Sequence, residues 1–92
     1  MTERTRPNAK ELTRAAAQQL GELVGHRVDG VSGLERDDEG WRVMLEVEEV
    51  ERIPESTSLM ASYEALVDDD GTLLEYGRVR RYYRNQADDN HG

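Results

Sequence analysis

The sequence predicts an α+β domain in two layers, with one N-terminal helix packed on a three- to four-stranded antiparallel β-meander. Two observations lead to this prediction. Apolar residues at helical spacing come first in the chain, and runs that alternate apolar and polar side chains follow them, separated by turns rich in Asp and Gly. Because such alternation describes a sheet with one buried and one wet face, the helix is the available cover for the buried face.

The predicted helix has recognisable signals at both ends. Asn8 is a candidate N-cap, and Glu11 stands three residues later, as the partner in a capping box would. Gly25 suits a left-handed C-terminal cap. The spacing of the apolar residues between these ends predicts one stripe that faces the sheet. The stripe comprises Leu12, Ala16, Leu20, Leu23 and Val24.

Four runs are candidates for strands. The stretch from Val28 to Arg36 predicts a short, irregular strand, bulged at a glycine. Trp41 to Glu51 alternates most clearly, and Pro54 ends the run because proline cannot donate to a central ladder. Leu59 to Val67 and Leu73 to Arg84 complete the predicted meander.

The turn before the last strand predicts its register. A three-residue loop that ends at Gly71 pairs Val67 with Leu73, Ala61 with Val79 and Tyr63 with Gly77. In this register the last strand places Arg78 and Arg80 on the wet face. Glu46, Glu48 and Glu64 share that face. The predicted buried face consists of Trp41, Val43, Leu45, Val47, Tyr63, Val67, Leu73 and Val79.

Length and composition indicate one small domain. The chain has 92 residues, and we expect a single folded unit over residues 8–84 with flexible segments at 1–7 and 85–92. Cysteine is absent, which excludes disulfides and fits a reducing cytoplasm. The N-terminus shows no apolar core of a signal peptide, and no apolar stretch approaches the roughly 20 residues of a membrane span.

The charge is strongly negative and unevenly distributed. The formal net charge of −8 disfavours generic binding to nucleic acid, because an acidic surface repels phosphates. Glutamates concentrate in the second strand and its exit loop, and arginines concentrate in the last strand. Opposite charges on neighbouring strands can stabilise a sheet by a few tenths of a kcal/mol for each pair.

No set of residues indicates catalysis, a metal site or a cofactor. Asp68 to Gly71 resembles the start of a calcium loop, but Glu75 comes too early to close one, so a hairpin turn is the simpler interpretation. His26 and His91 have no neighbouring partner that would form a triad. The exposed carboxylates of the second strand lack a pocket that would raise a pKa. We therefore predict a protein that is not an enzyme.

The arginines and tyrosines of the last strand allow several interpretations. They can form ion pairs within the sheet, they can form a protein interface, in which both residue types are enriched, or they can bind single-stranded nucleic acid. The last strand can also pair with a partner strand at its edge. The candidate residues for partner binding are Glu46, Glu48, Arg52, Ile53, Arg78, Arg80, Tyr82 and Arg84.

One ordered series of residues resembles a known family. The series runs through Gly40-Trp41, Arg52-Ile53-Pro54, Tyr63-Glu64, Asp68 to Gly71, Tyr76 and Arg78-Val79-Arg80-Arg81-Tyr82. It resembles the gas vesicle protein O family over about residues 10–87. The resemblance implies a non-enzymatic accessory role in building or regulating gas vesicles. It also implies a cytoplasmic location at the vesicles and contacts with their structural subunit and other accessory proteins.

Two alternatives remain open from the residues themselves. A small ligand-binding or inhibitor-type module would need a pocket between helix and sheet, and the small residues Ala61, Ala65 and Gly77 leave room for one. A nucleic-acid-binding regulator would use the arginine- and tyrosine-rich last strand.

Overall fold

A computed structural model of the chain describes residues 7–86 and contains one α-helix followed by four strands. The elements are α1 (Ala9–Val24), β1 (Arg27–Asp37), β2 (Gly40–Val50), β3 (Leu59–Val67) and β4 (Leu73–Tyr83), with a 3₁₀ turn at Glu55–Thr57. The strands form one antiparallel sheet in the order β1-β2-β3-β4. This meander confirms the predicted α+β fold. Of the termini expected to be flexible, residues 1–6 and 87–92 lie outside the described part of the chain.

Helix α1 begins and ends where the sequence predicts. The Asn8 side chain accepts a hydrogen bond from the Glu11 backbone N–H at 2.8 Å, and the Glu11 side chain accepts one from the Asn8 N–H at 2.9 Å. Gly25 closes the helix with a φ of 71°, which glycine adopts without steric cost. The predicted burial of Leu23 is wrong. The last turn approaches the sheet through Gly21 and Val24, which leaves Leu23 exposed.

The core lies between α1 and one face of the sheet, here called the inner face. Burial of each large aliphatic side chain in it contributes about 1.5–3 kcal/mol of transfer free energy. Val43, Leu45 and Val47 of β2 are completely buried, as their alternation predicts, and Trp41 and Leu73 pack against the cluster while partly buried. The other buried members are Leu12, Ala16, Leu20, Ala61, Tyr63, Ala65 and Val67.

The helix is too small to cover the whole sheet. A helix of 16 residues is about 24 Å long, whereas a strand of 11 residues spans about 36 Å. The opposite face, here called the outer face, carries no helix among residues 7–86. Part of the inner face beyond the C-terminal end of α1 is also left uncovered. These two surfaces hold the candidate site residues.

Two bulges in β4 change the register that the sequence predicts. Val67 pairs with Leu73 as expected, but the other two predicted pairs are wrong. Leu74 and Val79 have no partner on β3, and each of these irregularities turns the following residues over by one face. The observed pairs include Ala61 with Arg81, Tyr63 with Arg78 and Glu64 with Gly77.

The bulges determine which β4 residues reach each face. The stretch 75–78 is turned over relative to the prediction, so Arg78 lies on the inner face opposite Tyr63. After the second bulge, Arg80 and Tyr82 return to the predicted outer face. The predicted burial of Val79 is wrong, because the bulged residue is exposed.

The first strand is irregular, as predicted, but it is not short. β1 runs for 11 residues and carries register shifts on both sides of Gly30 and Val31. A two-residue turn joins it to β2 at Gly40. A Cβ atom at Gly40 would overlap the Val67 carbonyl oxygen, so glycine is required where this turn packs on the end of β3.

Candidate functional site

The outer face is organised around Glu46, whose carboxylate connects all four strands. It accepts hydrogen bonds from Ser32 Oγ of β1 at 2.5 Å, from Ser62 Oγ of β3 at 2.6 Å and from the Tyr82 hydroxyl of β4 at 2.7 Å. Glu46 itself lies on β2. These three donors are neutral hydroxyls, so the cluster fixes the relative positions of the strands without an ion pair at its centre.

Burial and hydrogen bonding act in opposite directions on this carboxyl. Burial would raise the pKa of Glu46, but the three hydroxyl donors and the charge of Arg80 outweigh burial and hold the pKa below its ordinary value. Burial and the bond to Glu46 raise the pKa of Tyr82 to about 12. The Arg80 guanidinium lies over the Tyr82 ring, 4.6 Å from its centroid.

A second outer-face cluster ties the end of β4 to β1 and β2. Arg84 Nη2 lies 2.9 Å from Glu48 Oε2, and Arg84 Nη1 lies 3.4 Å from Asp29 Oδ2. The hydrogen bonds that Arg84 donates to Glu48 and Asp29 raise the pKa of Arg84. The Glu48 side chain is buried, and the partly buried Arg84 is its charged partner. The two residues therefore act first as structural groups of the sheet.

The connection between β2 and β3 lies beside this cluster and presents an apolar side chain. Arg84 Nε lies 3.8 Å from the Glu55 carboxylate in the connection. The buried Ser58 hydroxyl accepts a hydrogen bond from the Arg52 N–H at 3.0 Å, and the Arg52 guanidinium lies 5.9 Å from the centroid of the Tyr83 ring. Ile53, between these anchored positions, is 99% exposed.

The uncovered part of the inner face contains another carboxylate, Glu49. Its side chain is only 6% exposed. It accepts hydrogen bonds from the Tyr63 hydroxyl at 2.9 Å and from Arg81 Nε at 2.9 Å, and Arg78 Nη1 lies 3.5 Å away. Burial alone would raise the pKa of Glu49, but the bonds from Tyr63 and Arg81 and the charges of Arg81 and Arg78 lower it.

A cleft of about 440 Å³ opens beside Glu49 at the C-terminal end of α1. Val24 of the helix, Val50 of β2 and Tyr76 of β4 supply apolar surface around it, and Arg78 and Arg81 border it. The bulge at the end of β2, between the paired residues Glu48 and Val50, directs both Glu49 and Val50 into this region.

The predicted site residues are therefore divided between two surfaces. The outer face and the neighbouring connection contain Glu46, Glu48, Arg52, Ile53, Arg80, Tyr82 and Arg84, whereas Arg78 belongs to the inner-face cluster. The assignment of Arg78 to the outer face was wrong because the bulge at Leu74 turns residues 75–78 over, and the predicted phase returns only after the second bulge, at Val79.

The sequence interpretation missed Glu49 and Arg81 as site residues. A signal for Glu49 is present, because it continues the apolar phase of Trp41, Val43, Leu45 and Val47. A carboxylate in the buried phase of a strand requires a partner.

The remaining polar groups have structural explanations. The Asp68 carboxylate accepts hydrogen bonds from the backbone N–H groups of Asp70 and Thr72, both at 2.9 Å, as expected for a hairpin turn. Across residues 7–86, no group of three or more His, Asp or Glu side chains is placed to hold a metal ion. Within the same range, no helix has the length and apolar character that a bilayer crossing requires.

Fold and surfaces together define the class: a two-layer α+β domain with one helix, a sheet face left open, and charged clusters on both faces. The chain matches the family of gas vesicle synthesis protein GvpO over residues 1–88, and it belongs to that family. No solved structure matches it.

Three relatives show the extent of the similarity. The chain is 44% identical over 82 residues to gas vesicle protein O of Streptomyces sp. (strain CB03234), covering 89% of this chain and 64% of the relative. It is 36% identical to gas vesicle protein O1 of Halobacterium salinarum, covering 87% and 65% of the two chains, and 28% identical to gas vesicle protein O of Haloferax mediterranei, covering 84% and 54%. The chain thus spans less than two thirds of the length of these relatives.

Proposed function

We propose that the protein is a non-enzymatic accessory factor of gas vesicle formation that contacts other gas vesicle proteins through the outer face of its sheet. Membership of the family supports the link to gas vesicles. The observation that carries the contact surface is the outer face, which presents partly exposed groups of both charges, such as Arg42 and Glu64, while α1 covers the opposite face. The partners would be the structural subunit and other accessory proteins, at vesicles in the cytoplasm.

The residues of this surface divide into a support and a set of contact groups. Glu46, Glu48 and Arg84 are engaged within the sheet and hold the surface in place. Arg80, stacked on Tyr82, offers guanidinium donors on a rigid aromatic base, a combination that suits interfaces. Ile53 offers an exposed aliphatic side chain, whose full burial is worth about 1.5–3 kcal/mol.

The electrostatics of the outer face support binding rather than catalysis. A general acid that works near neutral pH needs a raised pKa, whereas the pKa of Glu46 is lowered. All three hydrogen bonds to Glu46 come from side chains of the sheet itself. The carboxylate is therefore ionised at neutral pH and already occupied by structural donors.

The experiment is complementation of gas vesicle formation in a host that lacks its own copy of the gene. Arg80→Glu and Ile53→Asp should each reduce vesicle number in electron micrographs and reduce recovery of gas vesicle proteins with the tagged protein. Arg14→Glu makes the same charge change on an exposed position of α1 and should leave both unchanged. Unchanged recovery with folded Arg80→Glu and Ile53→Asp would contradict the outer face as the contact surface.

The alternatives can be separated from this proposal. In β4, Arg78 and Arg81 lie beside Glu49, and Arg84 beyond the strand lies beside Glu48, so part of their positive charge is opposed within the chain. Salt-sensitive retention on a heparin column would nevertheless support a nucleic-acid regulator. For a ligand-binding module, the small residues that left room for a pocket do not supply one, because Ala61 and Ala65 are completely buried in the core.

A further inference from the structure

We propose that the inner-face cleft beside Glu49 docks an apolar segment of a partner protein that carries a carboxylate, which Arg78 and Arg81 receive. This surface is distinct from the outer face, and the proposal does not require that the outer face contacts a partner. It rests on the charge balance of the cleft, on its apolar border and on its position at the edge of the sheet.

The charges around the cleft do not balance. Within residues 7–86, two guanidinium groups border it, and Glu49 is the one carboxylate among the residues that line it. Arg81 uses Nε for Glu49, and its side chain remains 52% exposed; Arg78 remains 43% exposed. Each guanidinium has five N–H donors, so both keep donors for a further acceptor. On a chain with a net charge of −8, this is a place that favours an incoming carboxylate.

The border of the cleft favours apolar side chains beside that carboxylate. Val50 is 40% exposed and Tyr76 is 45% exposed, and both line the cleft together with Val24. Burial of such surface by a partner releases water and contributes to affinity. These apolar groups line the same cleft as the two arginines, so a partner that covers them would exclude water from the ion pair and strengthen it.

The shape of the cleft indicates a polypeptide rather than a small ligand. Pockets for small molecules typically enclose about 70–90% of the ligand surface. Here the bordering side chains remain roughly half exposed, so the cleft is open to one side. It also borders β4, an edge strand that pairs only with β3 among the described residues. Backbone groups along such an edge can pair with another chain.

A second copy of this chain fits the cleft poorly. A twofold contact places the same patch on both partners, so a pair of clefts would bring Arg78 and Arg81 against their own copies. Two chains that each carry a net charge of −8 also repel one another. The occupant is therefore a different protein whose docking segment combines aliphatic or aromatic residues with Asp or Glu.

The test is site-specific photo-cross-linking in gas-vesicle-forming cells that carry the full-length chain. Benzoylphenylalanine replaces Tyr76 in the cleft, and in a separate variant it replaces Met44 on the outer face. Mass spectrometry then identifies the cross-linked peptide. From position 76 we expect an apolar peptide of another protein that contains Asp or Glu. A cross-link to this chain itself, to a peptide without an acidic residue, or to no protein would overturn the proposal.

Charge variants make the test specific to the arginines. Replacing Arg78 and Arg81 together by Gln should reduce the yield from position 76 about tenfold, which corresponds to the loss of roughly one charge-assisted hydrogen bond. Arg14→Gln, on an exposed position of α1, is the matched control and should leave the yield unchanged. An unchanged yield in the double variant would contradict the assigned role of the arginines.

Two further arms keep the result interpretable. If the double Gln variant does not fold, Val50→Asp places a repelling carboxylate on the exposed border and leaves the Glu49 cluster intact; it should reduce the yield from position 76. The cross-linker at Met44 reports on the outer face independently. Cross-links from position 44 to gas vesicle proteins without any from position 76 would contradict docking in the cleft and leave the proposed function standing. Cross-links from position 76 without any from position 44 would support docking in the cleft and contradict the outer face as the contact surface.

Discussion

Glu46 and Glu49 lie three residues apart on β2, yet the sheet uses them in different ways on its two faces. Glu46 accepts from the hydroxyls of Ser32, Ser62 and Tyr82, and its cluster spans all four strands. Glu49 accepts from one hydroxyl and lies between two guanidinium groups. The first arrangement joins strands through neutral donors. The second sets one carboxylate against two guanidinium groups and so leaves an excess of positive charge at an open surface. A carboxylate can thus serve mainly as a structural junction or as part of a receptive surface, depending on its donors.

The largest expected effect on stability comes from Glu49→Ala. The substitution leaves the buried Tyr63 hydroxyl and both arginines without their shared acceptor. Hydrogen bonds to charged groups contribute about 1.5–3 kcal/mol, so we expect the free energy of unfolding to fall by about 2–3 kcal/mol. Urea unfolding followed by circular dichroism measures the change.

A matched control and a cycle of variants sharpen this prediction. Glu51→Ala removes an exposed glutamate two residues further along and should change stability by no more than about 0.5 kcal/mol. The double variant with Arg81→Ala should lose less than the sum of the two single variants, because the two residues share one contact. Additive losses would show that Glu49 and Arg81 do not stabilise each other.

A smaller loss, of about 1–2 kcal/mol, is expected for Glu46→Ala. Its three donors are neutral, and the exposed Ser32 and half-buried Tyr82 can turn their hydroxyls to water. Ser62 is buried and carries most of the expected cost. The same urea titration measures it. If Glu46→Ala cost more than Glu49→Ala, the outer cluster would be the main electrostatic support of the fold, and the comparison would be reversed.

The smallest effect is a change in the pH dependence of stability. Both carboxyls have folded-state pKa values below their ordinary value of 4.5, so the unfolded chain binds more protons than the folded one as the pH approaches that value. Their contribution to stability is fully present above about pH 4.5 and is lost as the pH falls through the folded-state pKa values.

Replacement of either carboxyl by an amide tests this dependence. Glu46→Gln and Glu49→Gln should each flatten the loss of stability below pH 4.5, measured as urea midpoints between pH 7 and pH 3. Glu22→Gln, on an exposed position of α1, is the control and should follow the parent curve. If all four curves were parallel, neither carboxyl would have a lowered pKa.

The sequence alone was sufficient for the fold and for most of the outer face. The capping signals of Asn8 and Gly25 bound the helix, and the alternation from Trp41 to Val47 fixed the buried face of β2. Both features are local, since a cap and a period-two pattern depend on neighbouring residues only. The exposed position of Ile53 also followed locally, because Pro54 interrupts the strand.

The distribution of the β4 arginines between the two faces was decided only by the tertiary structure. The bulges at Leu74 and Val79 arise in the pairing of β4 with β3, and the local sequence of β4 does not show how many of its residues will be left unpaired. One bulge reverses every residue after it, and the second restores the original phase. Arg80 and Tyr82 therefore lie on the predicted outer face, whereas Arg78 lies on the inner face beside Glu49. The alternation of side chains within a strand follows from the strand's own residues. Which face of the sheet each side chain reaches depends on the register with the neighbouring strand, which is a distant part of the chain.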